Sequence, residues 1–225
     1  MKLIFGVGVT LGAYWLSRLV AKRLPCPFTT PVFFSTPLVI LALLATGIRL
    51  EEYKPAKDVM VFLLGPATVA LAVPLHKNWR ALVENAPPAL LGLAAGSLST
   101  LIVAACVAKL FALSSVVVAS IAIKSVTTPI AVELAPIVHG DPTLTVGFVV
   151  ATGMIGTMLG PWLMNLVGIR APLARGLALG TISMAMGTAQ ALREGELQGA
   201  VAGVAMGLAA VLISLAGPFA LSLVL

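Results

Sequence analysis

The chain has 225 residues, of which 60% are hydrophobic and only 10% charged, against roughly half and a quarter in an average soluble protein. Its mean hydropathy is +1.09, and 14 Lys and Arg against 8 Asp and Glu give a net charge of +6. So few charges cannot clothe a soluble core of this size, which excludes a secreted disulfide scaffold, a disordered chain and an ordinary cytosolic enzyme.

What remains is an all-α polytopic membrane protein. Its basic excess reads as the positive-inside bias of cytoplasmic loops and an affinity for anionic lipid headgroups, with no nucleic acid as partner. A spanning helix needs about 20 apolar residues, and the chain divides at its charges. Leu3 to Leu19 is the first span. The basic cluster Arg18-Lys22-Arg23 follows its apolar run instead of leading it, unlike a signal peptide. Pro31 to Ile48 is the second, closed by a charged loop from Arg49 to Asp58. Val59 to Leu75 is the third, interrupted by Gly65-Pro66 and Pro74. A polar connection from His76 to Asn85 leads to Ala86 to Val107, the fourth.

Ser114 to Val138 reads differently. Its two apolar halves are too short to span, and its centre, Lys124-Ser125-Val126-Thr127-Thr128-Pro129, is polar. Leu144 to Ile169, Leu173 to Leu192 and Gln198 to Leu225 complete the series. The Arg18-Lys22-Arg23 cluster, the Lys77-Arg80 loop and the Arg170-Arg175 loop are the best cytoplasmic segments. All three agree if Ser114 to Val138 is a re-entrant or broken-helix hairpin entering and leaving by one face. The expected architecture is therefore a single transmembrane domain over residues 1–225. It has about seven spans plus that hairpin, the N-terminus outside and the C-terminus inside.

Polar groups at membrane depth mark candidate function, because lipid satisfies neither charge nor irregular backbone. Three segments qualify. Gly65 to Leu75 holds two prolines and Thr68. Lys124 to Glu133 holds one cation, the hydroxyls of Ser125, Thr127 and Thr128, the helix breaker Pro129, and the carboxylate of Glu133. Gly180 to Gln190 holds Thr181, Ser183, Gly187 and Thr188. Pro129 resists helix before it, so the chain there should unwind and start a half-helix whose free N–H groups favour an anion. With Lys124 and the hydroxyls, that chemistry suits a small carboxylate carrying a hydroxyl or keto group. The blander alternative is that Lys124 and Glu133 neutralise each other while the hydroxyls cap kinked helices.

Other features read as structural. Gly153, Gly156 and Gly160, like Gly199, Gly203 and Gly207, recur at helix-packing spacing. Trp15, Trp79 and Trp162 are interfacial anchors. Cys26 and Cys106 match no metal spacing, and His76 and His139 have no second ligand nearby in sequence. No metal, cofactor or enzyme is expected, since no nucleophile–base–acid set, phosphate loop or dinucleotide motif is present. An inverted repeat suits this class of transporter. The only echo, Leu71 to Leu75 against Ile130 to Leu134, is close to chance.

Across nearly its whole length the chain resembles the LrgB/CidB family. The resemblance rests on Gly65 to Leu75 (GPATVALAVPL), Lys124 to Ala131 (KSVTTPIA), Pro142 to Thr145, Ala174 to Thr181 (ARGLALGT), and Gly187-Thr188-Ala189 with Ala191. It implies a multi-pass protein of the bacterial cytoplasmic (inner) membrane. Bacterial members are linked to control of murein hydrolase activity and autolysis, by analogy with holins and antiholins, usually beside a small LrgA/CidA-type membrane partner. A plastid relative is similar to a glycolate/glycerate translocator, and some bacterial pairs resemble pyruvate transporters. The resemblance thus implies transport of monocarboxylates such as glycolate, lactate or pyruvate, or alternatively a holin-like structural role in envelope permeability, and it allows homo-oligomers. Three positions depart from the family pattern. Ile123 stands where proline is usual, His139 where glycine is usual, and Met184 where histidine is common, which argues against a proton relay at Met184.

Overall fold

The computed structural model describes the chain except Met1, Pro25, Leu71 and Leu225, and the side chains of Lys2, Leu64, Thr68, Leu223 and Val224. The described residues are helical with no strand. Among the described residues, five stretches are long and apolar enough to cross a membrane: Leu3–Arg23, Leu50–Lys77, Ala86–Leu110, Pro142–Leu166 and Glu196–Ser222. The chain forms two compact units, residues 1–72 and 73–225.

The first unit contains α1 (Lys2–Arg23), a 3-10 turn (Pro27–Thr29), α2 (Pro31–Thr46) and α3 (Leu50–Ala70). Pro31 opens α2, where its missing N–H costs nothing, and Gly47 closes it in the left-handed conformation (φ 65°). The charged stretch before Asp58, expected as a loop, is instead helical. Glu51 and Glu52 lie in the first turn of α3, where carboxylates favour the positive end of the helix dipole. α1 and α3 meet at Gly6, which faces Tyr53 and the buried Ala56. They are tied by a 2.7 Å hydrogen bond between Thr10 Oγ1 and the Tyr53 hydroxyl.

The second unit follows from α4 (Ala72–Lys77), where the division falls. Its further helices are α5 (Trp79–Glu84), α6 (Ala86–Leu110), α7 (Ser115–Ala122), α8 (Thr128–Ile137), α9 (Pro142–Leu166), α10 (Pro172–Glu194) and α11 (Glu196–Val224). α7 packs on α6, and α8 packs on α9. The turn into α9 is fastened to α7 by the Asp141 N–H, which donates to Ser120 Oγ at 2.8 Å. Asp141 in turn caps α9, its Oδ1 accepting from the Leu144 N–H at 2.8 Å.

α10 corrects the expected topology. Met184 has φ 50° and ψ −128°, and the helix doubles back there. Arg175 and Glu194, nineteen residues apart, are joined by a 2.6 Å ion pair. A straight helix would hold them about 28 Å apart. Leu173 to Leu192 is thus a helical hairpin and not a crossing. Since α11 starts beside α4 (Lys77 Nζ to Glu196 Oε1, 3.4 Å), its C-terminal end lies at the opposite end of the unit from the Lys77, Arg170 and Arg175 cluster. The expectation of a C-terminus on the same side as those basic loops is overturned.

Small residues set this packing. Gly153, Gly156 and Gly160 of α9 lie against Met186, Ser183 and Leu179 of α10. Gly176 and Gly180 lie on the backbone of Gln198 and Ala202 in α11, so the first leg of α10 runs parallel to α11. The glycine spacing does mark helix contacts, as expected, although Gly207 faces open space.

Candidate functional site

The two re-entrant elements approach from opposite ends. On α6, Gly92 and Gly96 face Leu177 and Thr181 in rising order, so the first leg of α10 starts at the N-terminal end of α6. α7 follows the other end of α6 after a short turn. Met184 of α10 belongs to the same buried apolar cluster as Ile123 and Val126 from the α7–α8 connection.

The first tip forms for the reason its sequence suggests. Thr127 is extended (φ −64°, ψ 146°) and precedes α8, with Pro129 in the first turn, where an absent N–H leaves no bond unmade. Residues between Ala122 and Thr128 therefore leave the helix. Ser125 within them is 1% exposed. The second tip has no proline; the turn falls on Met184 itself.

Among the described residues, four buried hydroxyls in this unit have no hydrogen-bond partner: Ser97 of α6, Ser125 of the first tip, and Thr181 and Ser183 beside the second. None is more than 3% exposed. Leaving a buried donor unpaired costs about 1–3 kcal/mol, and hydroxyls of transmembrane helices ordinarily escape that cost by donating to a carbonyl of the preceding turn. Thr188 does so, to Met184 O at 3.0 Å, and Thr157 to Gly153 O at 2.9 Å. The other four hold neutral donors ready for oxygen atoms. Ser183 lies against Gly156, and Thr181 Cγ2 lies 3.8 Å from where a methyl on Gly96 would stand. That contact sets Thr181 beside the α6 turn that carries Ser97.

The remaining candidates are spread more widely. Lys124 is half-buried and lines, with Thr100 and apolar side chains of α6 and α7, a cavity of about 460 Å³. Thr127 and Thr128 are half-buried, while Pro129 and Glu133 are exposed on α8. No ion pair joins Lys124 to Glu133 among the described residues, so the neutralising alternative finds no contact. Gly187 packs on the Leu179 carbonyl and Ser183 and closes the two legs of α10. The side chain of Thr68 lies outside the described residues. Ser97 escaped the sequence reading. Its signal was the hydroxyl run Ser97-Leu98-Ser99-Thr100 inside an apolar span, of which Ser99 and Thr100 bond within their own helix.

A polar clamp fixes the base of the α10 hairpin, outside the spanning segments. Arg175 donates from Nε and Nη2 to Glu194, at 2.6 and 3.0 Å, and from Nη1 to Asn165 Oδ1 and Ile169 O, at 2.8 and 2.9 Å. The hydrogen bonds to Glu194, reinforced by its charge, raise the guanidinium above its ordinary range.

A family described as LrgB-like matches residues 10–223. The chain is 39% identical over 93% of its length to an uncharacterized protein, YxaC, of Bacillus subtilis (strain 168), covering 91% of that protein. It is 33% identical to a second from the same strain, YwbG, over 97% of both chains. It is also 33% identical to the antiholin-like protein LrgB of Bacillus cereus (strain B4264), over 90% of this chain and 88% of the relative. No solved structure matches. With the match running through both tips and the Arg175 clamp, this helical membrane protein belongs to the LrgB-like family.

Proposed function

We propose that this chain is a carrier of the bacterial cytoplasmic membrane for small monocarboxylates, 2-hydroxy or 2-oxo acids such as glycolate, lactate or pyruvate, and has no enzymatic activity. The observation that carries the reading is the set of four buried, unpartnered hydroxyls, drawn from two re-entrant tips and the intervening α6. Ser97, Ser125, Thr181 and Ser183 supply neutral donors for the carboxylate and its 2-substituent, and Lys124 supplies the charge. Between Lys109 and Arg170 the sequence holds no other Lys or Arg. A site assembled from two discontinuous elements suits alternating access, because moving one tip against the other opens it to either side. A small membrane protein of the LrgA/CidA type is the expected partner, and the murein-hydrolase and autolysis phenotypes of the family would follow from altered carboxylate flux.

The name of the Bacillus cereus relative, antiholin-like, favours a second reading, a structural protein that sets envelope permeability. Such a role has no use for buried, unpaired hydroxyls, because they cost stability without return.

Uptake of labelled glycolate, lactate and pyruvate into proteoliposomes, with and without the small partner, tests the proposal. Lys124→Ala should abolish uptake, and Lys124→Arg should keep the charge but misplace it. The double change Lys124→Met with Glu133→Met should fold and stay inactive. A fully active double variant would return the protein to the structural reading.

A further inference from the structure

The cavity beside Lys124 is larger than a two- or three-carbon acid requires. Its volume of about 460 Å³ falls in the range of roughly 300–1,000 Å³ seen for pockets that take drug-sized ligands. Its walls are apolar and open outward: the exposed Val103 and Val107 of α6 and Phe111 just after it, with Leu113 and Ile121 from the α7 side. Only Lys124 and Thr100 are polar. Because α7 turns back along α6, this polar pair lies at the inner end and Phe111 with Leu113 at the outer end. The axial length from Thr100 to Phe111 is about 16 Å.

We propose that this groove binds the apolar body of a monocarboxylate of about five to eight carbons, its carboxylate at Lys124 and its hydrocarbon against α6. The inference rests on the carrier reading and extends its substrate class from two- and three-carbon acids to longer ones with a branched, aromatic or straight apolar chain. A lone cation closing an apolar slot selects one negative charge with a hydrocarbon tail. A second carboxylate on the ligand would be buried without a counter-charge. A phospholipid fits less well, since its phosphate stays at the bilayer surface while Lys124 lies about ten helical residues inward from the end of α6.

The test is a chain-length series. Acetate, butyrate, hexanoate and octanoate compete with labelled pyruvate for uptake by the reconstituted full-length protein, with 1-octanol as the uncharged control. Potency should rise about fourfold per added methylene until the groove is full, and octanol should compete far less than octanoate. Lys124→Gln, expected to lose uptake, is read by thermal stabilisation of the purified protein, where every acid in the series should stabilise it less. Ala104→Phe, or Val107→Trp if that variant fails to fold, should flatten the dependence on length. A flat series for the unmodified protein, equal potency of octanol and octanoate, or an unchanged series in Lys124→Gln would each overturn the proposal. If no acid is taken up at all, the carrier reading fails separately. The same series is then read as thermal stabilisation of the purified protein, where the methylene increment supports the groove and its absence sinks it.

Discussion

Met184 holds a backbone conformation (φ 50°, ψ −128°) that L side chains seldom adopt, at a cost of about 1–3 kcal/mol. The surrounding packing imposes it, since the side chain is only 5% exposed and belongs to the buried cluster that also holds Ile123, Val126 and Val149. A second carbon branch at Cβ aggravates such a conformation, while a branch further out does not. Met184→Leu should therefore be tolerated, whereas Met184→Ile, of similar volume, should lower stability by about 2 kcal/mol more, read as thermal unfolding in detergent. The Arg175 clamp obeys different arithmetic. Its partners are 11% and 16% exposed, so Arg175→Ala strands Glu194 in a poorly hydrated place and should cost about 3 kcal/mol, part of it recovered on adding Glu194→Ala. The pair between Lys77 and Glu196 is 57% and 67% exposed and should be worth less than about 1 kcal/mol. Equal losses at the two pairs would contradict the burial argument.

The α7–α8 element was legible in the sequence because its chemistry is loud. Lys124, three hydroxyls and Pro129 interrupt two apolar halves too short to span. The α10 hairpin shows in the sequence only as a run of small and hydroxyl residues. With neither proline nor charge near Met184, a stretch of about 20 residues reads as one crossing. What closes the hairpin is contact between residues far apart in the chain. Gly187 meets the Leu179 carbonyl, a relation that no local spacing encodes. Gly187→Ala has no room for its methyl and should destabilise the hairpin by about 1–3 kcal/mol. Gly207→Ala, facing open space in α11, should instead gain up to about 1 kcal/mol from helix propensity. The two variants, compared by unfolding temperature, separate close approach from a general intolerance of change.

Across the second unit the charges are polarised. Lys77, Arg80, Arg170, Arg175 and Arg193 belong to the end where α11 begins, tied together by the Lys77–Glu196 and Arg175–Glu194 pairs. Lys109 lies at the other end of α6. The positive-inside bias then assigns the end rich in Lys and Arg to the cytoplasm. A shared side for the Lys77-Arg80 and Arg170-Arg175 loops is also what the sequence alone requires. The difference lies beyond Met184, where a crossing over Leu173 to Leu192 would carry Arg193 and Glu194 to the far side. With α10 folded back, α6, α9 and α11 are the crossings of this unit, and the end of α11 faces outward. In a background without Cys26 and Cys106, a cysteine replacing Ser114 or His139 should label from the outside, and one replacing Glu196 only from the inside. A reporter fused after Leu225 should be external. A cytoplasmic reporter with external Ser114→Cys labelling would restore Leu173 to Leu192 as a crossing. It would also part Arg175 from Glu194, so the geometry of the second tip and its two unpaired hydroxyls would fall with it.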